Sequence, residues 1–113
     1  VGLRLKVLDS AICPRFHVDR VPCRLVSTYC GATSEWLPHD LVDRSKLGKG
    51  NNGLSDVDSG IFQSEADINR LKTGDVAILK GELWEGNENA GLVHRSPQVS
   101  VGDKRFLLTL DYI

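Results

Sequence analysis

Arg105-Phe106-Leu107-Leu108-Thr109-Leu110, bounded upstream by Gly102-Asp103, is the stretch whose reading decides the fold. It is apolar, too short for a core helix, and follows a turn dipeptide, so it reads as a buried strand. The same signature recurs towards the N-terminus. Val76-Ala77-Ile78-Leu79 leaves the tight turn Gly74-Asp75, and Gly91-Leu92-Val93-His94 leads towards the last strand. Cys23 to Tyr29 is rich in β-branched and aromatic residues and closes at Gly31. Leu3-Arg4-Leu5-Lys6-Val7 alternates apolar and polar side chains, the period of a half-buried strand. Cys13 to Asp19 reads as extended, with Pro14 able to start such a segment but not to lie inside a central strand. Glu35-Trp36-Leu37 reads as a short strand or turn before Pro38.

Between these runs only one helix is predicted, and it is short. Ser64 caps it, Asp67 completes an acidic variant of the capping box, and Gly74 stops it. Residues 43–60 carry glycine, asparagine, serine and aspartate without apolar periodicity, and are expected to form a flexible loop or lid. Short strands with turn signals between them point to an all-β domain. The fold expected is a double-stranded β-helix, of jelly-roll or cupin type, spanning residues 1–113 as one domain. The chain contains no Met and begins in strand-like alternation, so it is read as part of a longer protein.

Composition narrows the function classes. With 41% hydrophobic and 26% charged residues the chain is neither disordered nor membrane-embedded. Its 14 basic and 15 acidic residues lack the cationic surplus of a nucleic-acid footprint, so no nucleic-acid or membrane partner is expected. The substrate class that remains is a small molecule or peptide. Three cysteines, Cys13, Cys23 and Cys30, are not framed like a secreted disulfide scaffold, which favours a reducing, cytoplasmic setting.

The chemistry-bearing feature is His17-Val18-Asp19. Residues i and i+2 of an extended segment project to one face. An imidazole and a carboxylate on one face supply two ligands of a facial His-carboxylate-His metal site, as used by non-haem Fe(II) oxygenases. The third ligand must come from a remote strand, and His94, one turn before the last β run, is placed to supply it. On that last run Lys104 or Arg105 offers a fixed cation for a dicarboxylate cosubstrate, Arg being suited to bidentate recognition. Alternation lets only one of the two point inward, and Arg105 shares its face with Leu107 and Thr109.

Cys13-Pro14-Arg15-Phe16-His17-Val18-Asp19-Arg20-Val21-Pro22-Cys23-Arg24 and Leu79 to Asn87, with His94-Arg95-Ser96-Pro97, resemble a family known only as domain of unknown function 1826. More distantly, Phe16 to Asp19, Arg24 to Tyr29, Gly31 to Trp36, Leu71 to Leu79, and His94 with Val99, Gly102 and Lys104 or Arg105 resemble prolyl-hydroxylase-like Fe(II)/2-oxoglutarate oxygenases. That second resemblance implies Fe(II) held by His17, Asp19 and His94, and 2-oxoglutarate clamped by Arg105 or Lys104. Tyr29 would donate a hydrogen bond to the same carboxylate, or else serve as an ordinary core aromatic. No catalytic residue is expected beyond the metal ligands.

The same residues admit other readings. Cys13, His17, Asp19 and Cys23 also form a C-x3-H-x-D-x3-C array, and thiolates favour zinc. A zinc- or iron-binding cupin-like domain without turnover is the alternative function. His39-Asp40 reads as a solvated pair, and Glu82, Glu85 and Glu88 as an acidic loop or a lid. There is no G-x-S-x-G, and the glycines at 48–53 lack the ending of a phosphate loop. A metal-free interaction module would leave His17, Asp19 and His94 scattered over the surface.

Overall fold

A computed structural model describes residues 2–112. Seven strands form: β1 (Gly2–Leu8), β2 (Cys23–Cys30), β3 (Glu35–Leu37), β4 (Asn69–Arg70), β5 (Val76–Lys80), β6 (Val93–Arg95) and β7 (Arg105–Tyr112). They make two antiparallel sheets, one ordered β1-β7-β2-β5 and one ordered β4-β3-β6. The domain is mostly β, as the turn-punctuated apolar runs predict. Among the described residues no strand is shared between the sheets, and no barrel closes.

The helix lies elsewhere than the capping signals at Ser64 suggest. Ser64 does cap, accepting from the Ala66 amide, but only a single helical turn (Glu65–Asp67) follows. Asn69 and Arg70 then leave it to pair with β3, because an open sheet edge offers the backbone ladder partners that a frayed turn lacks. The α-helix, α1 (Asp56–Ser59), falls inside the stretch expected to be a loop, where the Ser55 side chain accepts from the Asp58 amide. Two further turns, Arg44–Lys46 and Gly48–Asn51, precede it. The residues after α1 anchor the segment: Ile61 is 1% exposed and Phe62 is buried beside it.

Phe16, Leu37, Ile61, Phe62 and Val93 form the hydrophobic core, with Val18, Val42, Leu47 and Ile68 packed against it. This core lies on the side of the three-stranded sheet covered by the segment between β3 and β4. The other side of that sheet faces the four-stranded sheet across a cleft.

β1 forms, yet its alternation is turned the opposite way from a half-buried strand. Leu3, Leu5 and Val7 are each more than half exposed, while Arg4, Lys6 and Leu8 stand on the cleft side, where Leu8 is half-buried and the two cations remain exposed. The register with β7 dictates this. Arg4 sits opposite Thr109, Lys6 opposite Leu107 and Leu8 opposite Arg105, and directly paired residues share a face. Since Arg105 is 1% exposed and points inward, β1 must turn its cations inward too. On β5, Val76 and Ile78 likewise look outward to solvent. No described helix is long and apolar enough to cross a membrane.

Candidate metal centre

His17 and His94 face each other because their backbones do. The His17 amide donates to the His94 carbonyl at 2.9 Å and the His94 amide donates back at 3.0 Å, an isolated bridge that adds His17 to the edge of β6. Residues that exchange both hydrogen bonds point their side chains to one side, and the two rings lie 4.6 Å apart. Asp19, two residues on, returns to that side, while Phe16 enters the core and Val18 packs against it. One short segment therefore supplies ligands to the cleft and apolar groups to the core.

Gly81 allows the close approach that holds Asp19. A Cβ there would sit 2.7 Å from the Asp19 carbonyl and 2.0 Å from the Val21 carbonyl, so no larger residue fits. The Gly81 amide donates to Pro22, and the Glu82 amide donates to the Asp19 carbonyl at 2.9 Å.

The ligating atoms of His17, Asp19 and His94 all lie within 4.8 Å of one another. Nε2 of His17 is 3.6 Å from Asp19 Oδ1, and Nε2 of His94 is 3.3 Å from Oδ2. For metal–ligand bonds of about 2.1 Å, tetrahedral or octahedral donors stand about 3.0–3.4 Å apart. Both His–Asp distances are close to that spacing, and the whole group, within 4.8 Å, would draw in slightly around an ion.

Protonation makes the argument for a cation. Nδ1 of His17 lies 2.8 Å from the Arg15 carbonyl, and Nδ1 of His94 lies 2.9 Å from the Leu92 carbonyl. A carbonyl only accepts, so both rings carry a proton on Nδ1, which turns Nε2 of each ring towards Asp19. Burial lowers the His17 pKa, against the raising effect of the Arg15 carbonyl, which keeps that ring neutral. Burial would raise the Asp19 carboxyl, but neighbouring His94 and the Arg24 guanidinium outweigh it and hold the group below its ordinary value. Oδ2 of Asp19 is buried and has no hydrogen bond of acceptable geometry. Two imidazole Nε2 atoms and a buried carboxylate oxygen thus converge, an arrangement able to hold a metal ion.

Arg24, which the sequence reading leaves out of the site, orients the carboxylate. Its Nη1 donates to Asp19 Oδ1 at 3.2 Å, while its Nε and Nη2 engage both oxygens of Asp111. The sequence offers only a charged residue in each of two mainly apolar runs; that Arg24 and Asp111 stand opposite each other comes from the register of β2 on β7.

Of the candidate cosubstrate residues, one turns inward, on the face of β7 that it shares with Leu107 and Thr109, behind the Ser34 that lines the cleft. Arg105 is buried, donates to Ser34 Oγ at 2.8 Å and Thr28 Oγ1 at 3.4 Å, and leaves its Nε without a partner. Burial lowers its pKa, and no carboxylate among the described residues pairs with it to offset that. Lys104 instead points to solvent, 4.0 Å from Asp9. Tyr29 is half exposed and packs on Phe106 at 5.5 Å on the outer face, so it is neither in the cleft nor in the core. Both follow from alternation: neighbours of an inward residue must face outward. Cys13 and Cys23 take no part in the ligand group, and Cys23 stands on the outer face of β2, one position from inward-facing Arg24. His39 is held by Arg44 instead of approaching Asp40 as a second site.

The fold and this geometry define a two-sheet β domain with a His-Asp-His group able to hold a metal ion. A family model described as protein of unknown function (DUF1826) matches residues 1–111, and the chain belongs to that family. No curated protein and no solved structure matches the chain, so neither comparison adds an oxygenase to its relatives.

Proposed function

We propose that this domain is a metal-dependent, oxygenase-like domain that holds Fe(II) at His17, Asp19 and His94 and takes 2-oxoglutarate as cosubstrate. The observation that carries the metal is the pair of Nε2 atoms, each ring anchored at Nδ1 by a backbone carbonyl, aimed at a buried carboxylate whose Oδ2 has no hydrogen-bond partner. Two imidazoles and one carboxylate suit Fe(II) with open coordination positions. When bound, Fe(II) and 2-oxoglutarate together supply dioxygen-dependent oxidation of a substrate. What supports the cosubstrate is Arg105, a buried guanidinium with two hydroxyl partners and no anion of its own. Its fork, with Ser34 and Thr28 beside it, is suited to a carboxylate. The two sheets with ligands between them also support reading the fold as an open jelly roll of double-stranded β-helix type.

In this reading the Arg15 and Leu92 carbonyls lock the imidazole tautomers, and Arg24 fixes the carboxylate. The same donors suit zinc, which makes a non-catalytic metal-binding domain the second reading. Anaerobic addition of Fe(II) to the metal-free chain, followed by titration of 2-oxoglutarate, separates the two. The proposal expects one iron per chain and a change in its absorption spectrum that Arg105→Met removes without loss of iron. Iron uptake with no response to 2-oxoglutarate selects the non-catalytic reading; failure to bind any metal overturns both.

A further inference from the structure

β1 places two cations along the cleft, Arg4 and Lys6, which stay exposed to solvent and which the metal centre does not use. Arg4 and Lys6 line the cavity that also contains His17 and His94, together with the apolar side chains of Leu8, Ile12 and Leu107. Lys6 has no acidic partner among the described residues, and Arg4 reaches only to 4.0 Å from Asp111, whose two oxygens are already engaged by Arg24. Asp19 and Asp111, the acids facing the metal end, share Arg24 between them, so the three cations Arg4, Lys6 and Arg24 stand against two carboxylates and leave one positive charge in excess, although the whole chain carries a formal charge of −1. Arg4 is also connected to the metal ligands, through Asp111 and Arg24 to Asp19. The strand that contributes these cations leaves Leu3, Leu5 and Val7 in water to do so.

We propose that the substrate is a small organic anion with an apolar body. Arg4 and Lys6 hold its carboxylate or phosphate, and Leu8, Ile12 and Leu107 receive the apolar part beside His17 and His94. The cavity, about 130 Å³, suits a small molecule rather than a folded partner. This rests on the oxygenase reading and names the substrate class of the same site; Arg105 is left to the cosubstrate.

Calorimetric titration of the full chain loaded with zinc, which prevents turnover, tests it with hexanoate, hexyl phosphate and hexanamide as probes. One of the two anions should bind, deciding between carboxylate and phosphate, and the neutral amide should bind roughly tenfold more weakly or worse. The double variant Arg4→Gln/Lys6→Gln should lose roughly tenfold or more in affinity for that anion while its affinity for 2-oxoglutarate stays within about twofold. Unchanged zinc uptake checks that the variant is folded, and Lys6→Gln alone, with a smaller loss in the same direction, serves if the double variant is not. Equal binding of hexanamide, or no binding of either anion, overturns the inference. So does a parallel loss of 2-oxoglutarate, which would assign these cations to the cosubstrate. A wild-type chain that selects the anion but ignores 2-oxoglutarate would defeat the oxygenase reading and leave the anion site standing.

Discussion

The two sides of the three-stranded sheet are built from the same few residues and are chemically opposite. On one side Phe16, Leu37 and Val93 join Ile61 and Phe62 in a dry core. On the other His17, Asp19 and His94 meet in a polar cleft, with Ser34 linking to Arg105. Phe16-His17-Val18-Asp19 and Val93-His94 feed the two sides alternately. The difference teaches where stability and chemistry reside: the core holds the sheet in place by apolar burial, and the cleft can then keep lone pairs and cations that contribute little to folding.

Substitutions on the two sides should therefore separate. The largest loss of stability is expected from Ile61→Ala, about 2–5 kcal/mol by denaturant unfolding, because it empties a fully buried site. Asp19→Ala should act on metal instead, weakening binding by about 100-fold or more. The metal-free stability of that variant should change by no more than about 1 kcal/mol, since Arg24 retains Asp111. An Asp19→Ala chain that unfolds, or an Ile61→Ala chain that loses metal while still folded, would break the division. Arg24→Met removes the group that orients Asp19, together with the partner of Asp111, and should cost about 10–100-fold in metal affinity, measured by competition with a chelator.

Acid should dissect the same two sides. The folded His17 pKa is lowered, so the unfolded chain binds the extra proton first. Stability of the metal-free protein is full above the ordinary value of 6.5 and falls as pH drops from there towards the folded value. On the core side, burial raises the Glu35 carboxyl, but Arg95 and Arg70 outweigh it and hold it below 4.5. Its contribution is present above 4.5 and is lost as pH falls through the folded value. Unfolding measured against pH should show two acid limbs, the upper one absent in His17→Gln and the lower one, which Asp19 shares, reduced in Glu35→Gln. The smallest effect is expected outside both sides: Ile78→Thr, on the exposed face of β5, should stay within about 0.5 kcal/mol of wild type.

Much of this was legible because strand alternation is a local property. The runs at 23–29, 76–79 and 105–110 are strands with the expected bounds or close to them, and the spacing of His17 and Asp19 put both on one face. The pairing of His17 with His94 was inferable only because few histidines exist to choose from. The helix at Ser64 was misplaced because capping residues mark where a helix is able to begin, while the sheet edge at β3 decided that Asn69 and Arg70 would leave it. Arg24 and Asp111 were missed because a charged residue in an apolar strand has no visible partner until the strands are in register.

By itself, then, the amino-acid order determined which residues extend and which share a face, since both depend on a two-residue period within one strand. Which face turns inward was decided only by tertiary structure. β1 reads as a strand with an apolar buried side, yet its register against β7 turns Arg4 and Lys6 to the cleft and Leu3, Leu5 and Val7 to solvent. Facing is a property of the pair, fixed by hydrogen bonds between remote segments, and no single strand carries it.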